Sequence, residues 1–235
     1  MIVAAHQPQY LPWLGYFHKM AHCDLFLFLD DVQYKKREFQ NRNKIRMKDD
    51  TLWLTVPVLT KGHFDQNIRD VFTEPTTDWR ESHWKSLCLS YSRSAHFPRY
   101  KEALEKIYRT APGRLMDISM DLIRFQCEAF GIETPGRFSS EFSVTSSKSQ
   151  RLVDLCLATK ADTYLSGQGA RDYLDETLFE SAGIRVIYQD FVHPTYPQTR
   201  PGFLSHLCAL DLLFNCGPDS RRHLTDRAAA RKGDA

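Results

Sequence analysis

Long apolar runs and an excess of charge are both missing from this sequence. No stretch approaches the roughly 20 consecutive apolar residues that span a bilayer, and the first residues, MIVAAHQPQY, lack the basic and apolar segments of a secretory signal. We therefore expect a cytoplasmic protein. The formal net charge is only +2, which excludes the global basic field of a dedicated nucleic-acid-binding protein.

Paired cysteines and a nucleotide-binding signature are missing as well. The six cysteines are scattered and form no C-x-x-C pair, which excludes a zinc knuckle and a dithiol redox motif. We expect reduced, structural thiols. The Walker pattern is also absent. Since His6, Asp30 and His193 are far apart in sequence, no metal site is predicted.

What the sequence does contain is typical of a globular protein. Hydrophobic residues make up 42% and charged residues 26% of the 235 residues, which suits one medium domain with a sizeable core. We predict a single α/β domain over residues 1–217, within which residues 79–138 could form a helical subdomain. A flexible tail is predicted over residues 218–235.

Strand and helix patterns alternate at both ends of the chain. MIVAAH and DLFLFLDD predict buried strands, and PWLGYFHKMAH between them predicts a helix after a proline. Such a βαβ unit favours a parallel sheet that binds ligands at the carboxyl ends of its strands. Further on, DTYLSG and IRVIYQDF predict strands around the helical ARDYLDETLFESAG.

The middle of the chain has other patterns. NKIRMKDDTLWLTVPV predicts a β-hairpin, and from residue 79 the apolar spacing of three and four indicates helices. SSEFSVTSSKS predicts a loop or lid, and FLSHLCALDLLFNCG predicts one amphipathic helix. The predicted fold class is α/β, with a βαβ-type parallel or mixed sheet, a β-hairpin insertion and a helical middle segment.

The stretch HQPQYLPW places polar groups directly after the first predicted strand. His6 and Gln7 follow the apolar run, and Pro8 ends its hydrogen-bonding ladder. Titratable and amide groups at a strand end are typical of a ligand site, although a histidine that caps a turn gives the same pattern. Asp30 and Asp31 follow the second strand, so we expect them on the same rim as His6.

The segment LDDVQYKKREFQNRNKI concentrates hydrogen-bonding and cationic side chains, and three interpretations stay open. Its donors suit a polyhydroxylated or phosphorylated ligand. Its seven Lys and Arg against one Glu over residues 35–48, with aromatic neighbours, suit RNA. A solvated basic hairpin would look the same. The candidate residues are Gln33, Tyr34, Lys35, Arg37, Asn41, Arg42 and Asn43.

Two more motifs follow predicted strands. Gly167 and Gly169 precede a helix, and backbone amides at such a helix start can hold an anion, although a tight turn explains the pair almost as well. DFVHPTYPQTRPGF repeats the opening pattern with His193, Tyr196 and Gln198. These side chains face the His6 cleft if both strands lie in one sheet, and otherwise the likeness is chance.

Taken together, these stretches resemble the WbqC-like family of bacterial proteins. The resemblance rests on HQPQYLPWLGYFHKM, FLDDVQYKKREFQNRNKI, WLTVPV, WRESHWKSL, YLSGQGARDYLD, DFVHPTYPQ and LDLLFNCG, in that order, over nearly the whole chain to about residue 217. Cys208 stands where the family often has a serine. The family is similar to proteins encoded in O-antigen and other surface-polysaccharide gene clusters, which implies a role in making or decorating such sugars but supplies no catalytic residues.

We therefore hypothesise a transferase that moves an acyl or aminoacyl group to the nitrogen of an amino sugar. His6 is then the general base, Asp30 or Asp31 orients it or the substrate, and Asn43 or Gln7 polarises the acyl carbonyl. Lys35, Arg37 and Arg42 bind phosphates of the sugar nucleotide or of the donor. The other substrate-binding candidates are Tyr10, Gln33, Tyr34, Asn41, Gly167, Gly169, His193, Tyr196 and Gln198.

The expected partner molecules are a sugar nucleotide and a thioester donor carried by coenzyme A or by a carrier protein. No cofactor is firmly predicted, and nucleic acid is not expected. Two alternatives remain. One is nucleotidyl or adenylate chemistry, because the order of strand, histidine turn, helix and strand resembles HIGH-type nucleotidyltransferases without their second histidine. The other is a non-catalytic module that binds RNA or a polysaccharide assembly complex.

Overall fold

A computed structural model describes residues 1–63, 65–110 and 113–225. The central sheet contains β1 (Ile2–His6), β2 (Leu25–Phe28), β5 (Gly136–Phe138), β6 (Thr163–Ser166) and β7 (Arg185–Tyr188). A separate antiparallel hairpin contains β3 (Arg42–Met47) and β4 (Asp50–Thr55). The helices are α1 (Leu14–Ala21), α2 (Trp79–Tyr91), α3 (Phe97–Thr110), α4 (Leu115–Phe130), α5 (Lys148–Ala158), α6 (Glu176–Ser181), α7 (Leu210–Cys216) and α8 (Arg222–Thr225). The predicted α/β class, with its hairpin insertion and helical middle, is confirmed.

The order of the strands creates a crevice at one edge of the sheet. All neighbours in the order β5-β2-β1-β6-β7 are parallel. Counted along the chain, the sheet is arranged 3-2-1-4-5, which matches the first five strands of a doubly wound dinucleotide-binding sheet. From β1 the chain continues to β2 on one side of this strand pair, whereas from β6 it continues to β7 on the other side. Ligands bind such sheets where the carboxyl ends of these two strands meet.

Alternate residues of the strands enter two separate cores. Ala4 and Phe26 face a core that is shared with α1, the hairpin, α2 to α4 and α7, whereas Val3 and Leu27 face a second core with α5 and α6. This alternation follows from the two-residue period of a strand. The sheet is therefore the middle of three layers, and α2, α3 and α4 share their core with the sheet.

Three local features differ from the sequence prediction. The short edge strand β5 was missed, because GRF has no apolar run. The predicted last helix begins only at Leu210. The Gln198 side chain holds the segment before this helix, because it donates to the Leu204 carbonyl and accepts from the Leu204 N–H. Residues 217–225 are helical and Leu224 is buried, whereas the sequence predicted a flexible tail from residue 218. The rest of that tail, residues 226–235, lies outside the described residues.

Within the described ranges, no helix is both long and apolar enough to cross a membrane.

Candidate functional site

A buried lysine lies in the crevice between β1 and β6. Lys19 comes from the inward face of α1 and is only 6% exposed. Its Nζ lies 3.4 Å from the position that a Cβ atom on Gly167 would take, just after β6. Among the described residues, no carboxylate pairs with this ammonium group and no acceptor bonds it. Burial lowers the pKa of Lys19 from 10.5 to about 8, so the side chain stays mostly cationic at pH 7.

His6 ends β1 beside this lysine. Its ring packs edge-on against Tyr16, with 5.1 Å between ring centres, and its Nδ1 lies 3.1 Å from the Gln7 carbonyl. Burial, and then the charge of Lys19, lower the pKa of His6 to about 3. The imidazole is therefore neutral at pH 7. Because a carbonyl can only accept, Nδ1 carries the proton and Nε2 keeps a free lone pair.

The first turn of α1 lies at the same rim and is fixed there by Gln189. Gln189 follows β7, and its Nε2 donates to the Gly15 carbonyl over 2.7 Å and lies 3.0 Å from Nδ1 of His18. A Cβ atom on Gly15 would lie 2.1 Å from the Trp13 ring, so any larger residue here would displace that ring. No side chain caps the start of α1. The helix dipole adds positive potential at this end of α1.

The predicted carboxylates share the rim but are bonded to the neighbouring strand. Asp30 is buried and accepts from the Ser139 hydroxyl and from both the amide and hydroxyl of Ser140. Asp31 accepts from Arg151 over 2.6 Å and from Ser139. Burial alone would raise the pKa of Asp31, but the hydrogen bonds from Ser139 and Arg151 lower it below its ordinary value. Both carboxylates thus fix the segment after β5, and neither bonds to His6.

The predicted amides of the hairpin are also used within the fold. Asn43 is completely buried and donates to the Leu11 carbonyl over 2.6 Å. Asn41 donates to the Val56 carbonyl over 2.9 Å. These bonds attach the hairpin to its surroundings, so Gln7, whose side chain has no partner among the described residues, is the amide that remains beside His6.

Of the other predicted residues of this segment, all but Tyr34 lie on or near the protein surface. Lys35 and Arg37 are exposed, and the Arg42 guanidinium lies 4.4 Å from the centre of the Trp53 ring. Gln33 donates to Asp65 over 3.2 Å, and Tyr34 is buried. None of these five residues bonds to His6 or Lys19 within the described chain.

Tyr10 is part of the core instead of the crevice. It is fully buried, and its hydroxyl lies 2.6 Å from the Tyr108 hydroxyl and 2.8 Å from Nδ1 of His83. Gly167 lines the crevice, as described above, whereas Gly169 lies in the exposed turn that follows.

The second histidine motif forms a different cluster. His193 stacks on Tyr196, with 6.3 Å between ring centres. Tyr196 and Gln198 both donate to the buried carboxylate of Asp211, over 2.9 and 2.7 Å. Although β1 and β7 share one sheet, none of these three predicted residues bonds to His6 or Lys19 in the part of the chain that the structure describes.

Sequence reasoning missed Lys19 and Gln189. Lys19 stands in GYFHKM among the apolar residues of an amphipathic helix, and its inward position was the available signal. Gln189 gave no signal, because its partners lie 171 and 174 residues away. No group of three or more potential metal ligands occurs among the described residues.

Comparisons with known proteins agree with the motif pattern. A family model described as the WbqC-like protein family matches residues 7–223. The chain is 38% identical over 224 residues to the uncharacterized protein Rv1507c of Mycobacterium tuberculosis, and the match covers 94% of this chain and 96% of that protein. No solved structure matches the chain.

Proposed function

The chain belongs to the WbqC-like protein family, and from the unpaired lysine in its crevice we propose that it is an enzyme acting on a nucleotide-activated sugar. The phosphate of the sugar nucleotide binds beside Lys19, and the sugar is modified next to His6. The family's resemblance to surface-polysaccharide proteins supports the sugar as substrate class.

The single observation that carries the proposal is the missing counter-charge of Lys19. A buried cation destabilises a fold unless a partner compensates for its lost hydration. An anionic ligand supplies this partner. Gly167 leaves space beside Lys19 because it has no side chain.

We further propose acyl or aminoacyl transfer to an amino-sugar nitrogen as the reaction. The amine attacks the carbonyl carbon of a thioester donor, the carbon–sulfur bond breaks, and an amide and a thiol form. Nε2 of His6 takes the proton that the nitrogen loses and returns it to the sulfur. The Gln7 amide polarises the carbonyl. Asp30, Asp31 and Asn43 then support the site through the fold.

Binding of the phosphate also adjusts the base. The Lys19 charge helps to lower the pKa of His6, and an anion beside Lys19 offsets that charge. We expect the pKa of His6 to rise when substrate binds, although burial, the larger cause, still holds it below its ordinary value, and the ring is then a stronger base in the complex than in the free enzyme.

The test is thermal unfolding with a panel of amino-sugar nucleotides, the matching sugar phosphates, acyl thioesters and nucleoside triphosphates. A ligand at 100 times its dissociation constant stabilises the fold by about 2.7 kcal/mol. Sugar nucleotides should stabilise the wild type and the Lys106→Met control, whose lysine is exposed on α3, but not Lys19→Met. Equal stabilisation of Lys19→Met would refute the phosphate site, and full turnover by folded His6→Ala would refute the base.

The order of the sheet favours nucleotidyl transfer as a second candidate. A 3-2-1-4-5 sheet with a histidine at the end of its first strand and no side-chain cap on its first helix also suits a nucleoside triphosphate. Release of pyrophosphate from a nucleoside triphosphate plus a sugar phosphate would identify this reaction. Acyl transfer releases a thiol instead, so the two assays separate the candidates.

A further inference from the structure

The outer face of the β3–β4 hairpin combines exposed aromatic rings with cations. Phe39 is 40% and Trp53 is 39% exposed, and their ring centres lie 6.1 Å apart. Arg42 and Lys44 lie against Trp53, with 4.4 and 5.0 Å from charge to ring centre. Lys35 and Lys36 are exposed nearby in sequence. We call this set of six residues the hairpin platform.

The cations of the hairpin platform are not neutralised by the protein. None of the four forms an ion pair within the described residues. Arg46 on the same strand differs, because Gln198 and the carbonyls of Pro201 and Gly202 cover it. At the Arg46 end the outer face is thus covered by residues 198–202, whereas at the platform it is accessible to a ligand.

The platform is attached to the loop that leads away from the crevice. The Tyr10 amide donates to the carbonyls of Phe39 and Gln40 over 3.3 and 3.2 Å. Asn43 donates a hydrogen bond to the carbonyl of Leu11, the residue that follows Tyr10. A ligand on the platform therefore contacts the segment that fixes the chain just after His6 and Gln7.

We propose that the hairpin platform binds the single-stranded end of an RNA. Cations that line an aromatic surface suit single strands, because phosphates bind the cations and bases stack on the rings. Arg42 and Lys44 are two residues apart on one strand face, about 7 Å, similar to the spacing of phosphates along a single strand. An acidic protein would match the charge but has no bases to stack on Phe39 and Trp53. The low net charge of the chain had argued against nucleic acid, but the platform is a local feature.

This inference rests on the proposed function for what the RNA delivers. In the aminoacyl form of that reaction, an aminoacyl ester at the RNA 3′ end replaces the thioester as donor. The sugar amine attacks the ester carbonyl, the ester carbon–oxygen bond breaks, and the ribose hydroxyl leaves with the proton that His6 carries. The RNA is then a substrate, held on the hairpin that bonds to the backbone of Tyr10 and Leu11.

The test is fluorescence anisotropy with a labelled single-stranded RNA of about 12 nucleotides, within the site sizes of single-strand binders. With four phosphate contacts, affinity should fall about 50-fold between 50 and 200 mM salt. Lys35→Glu with Lys36→Glu should weaken binding and reduce the logarithmic salt slope by about 1.4. The matched control, Lys101→Glu with Lys106→Glu on α3, changes the net charge equally and should bind as the wild type does.

Stacking is tested separately from charge. Phe39→Ala and Trp53→Ala should each weaken binding about 10-fold, and Trp53→Tyr should restore most of it. Phe39 lies outside β3 and β4, so Phe39→Ala still tests stacking if Trp53→Ala disrupts the hairpin. No binding of RNA at low salt, or equal binding by the charge-reversed variant, overturns the inference, and so does capture of an acidic carrier protein in place of RNA.

The two proposals fail in different ways. Lys19→Met should keep RNA binding and lose sugar-nucleotide binding, whereas the platform variants should do the reverse. RNA binding without any transfer of an aminoacyl group would overturn the role of the RNA as donor and leave both the RNA-binding surface and the thioester reaction standing.

Discussion

Two buried cations of this protein have opposite surroundings. Arg46 is 5% and Lys19 is 6% exposed, so both lose nearly all contact with water. Arg46 donates to Gln198, to the Pro201 and Gly202 carbonyls and to the Lys48 carbonyl. Lys19 has no such partner among the described residues. A buried charge that the fold itself satisfies supports structure, whereas one that the fold leaves unpaired is suited to a ligand.

Replacing Arg46 should give the largest effect on stability. Arg46→Met leaves four acceptors and the nearby Asp211 charge without their cation, so we expect a loss of about 3–5 kcal/mol in the free energy of unfolding. Denaturant titration followed by circular dichroism measures it. A loss below about 1 kcal/mol would show that the C-terminal segment is held by other contacts and would remove the contrast with Lys19.

Replacing Lys19 should leave the fold intact and abolish ligand stabilisation. Lys19→Met removes an uncompensated charge, so the free energy of unfolding should stay level or rise by about 1–2 kcal/mol. The gain of about 2.7 kcal/mol from sugar nucleotide at 100 times its dissociation constant should disappear. Lys19→Arg keeps the charge and serves as control. A large loss of stability in Lys19→Met would place this lysine beside Arg46 as a structural residue.

Alkaline pH should separate the two cations more finely. Burial lowers the pKa of Lys19 to about 8 in the fold from 10.5. Between these values the unfolded chain binds more protons than the native state, so native stability rises with pH, by at most about 1.4 kcal/mol per pH unit. The free energy of unfolding of the wild type should therefore rise relative to that of Lys19→Met between pH 8 and 10.5. The difference between wild type and Arg46→Met should stay flat over the same window, because an arginine does not titrate there.

The smallest effect is expected at Asp211. Asp211→Asn keeps an oxygen that accepts from Tyr196 and Gln198 but removes the charge near Arg46. Since burial raises the pKa of Asp211, the charge itself is costly in the fold, and we expect a net loss of only about 1 kcal/mol. Urea unfolding at pH 7 measures it. Asp211→Ala, which removes the acceptor, should lose clearly more, and equal losses would mean that the charge matters more than the hydrogen bonds.

The sequence predicted the positions of residues that depend on their chain neighbours. The alternation of MIVAAH and DLFLFLDD with a helix between them placed His6, Asp30 and Asp31 at one rim, and the sheet pairing of His6 with Phe28 agrees. The hairpin was also found from its own two segments. The roles of these residues were harder to predict, because a pattern of polar side chains does not show which partners will take their hydrogen bonds.

What the sequence by itself determined was the local architecture, the family and the rim at which polar groups collect. Strand period, helix period and proline position act over a few residues and are legible in the chain. Only the tertiary structure decided which polar groups remain available. Asp30 meets Ser139 across 109 residues, while Lys19 meets Gly167, which carries no side chain to pair with it. Contacts between residues far apart in sequence thus satisfied the two carboxylates with hydrogen bonds and left the lysine unpaired in the crevice.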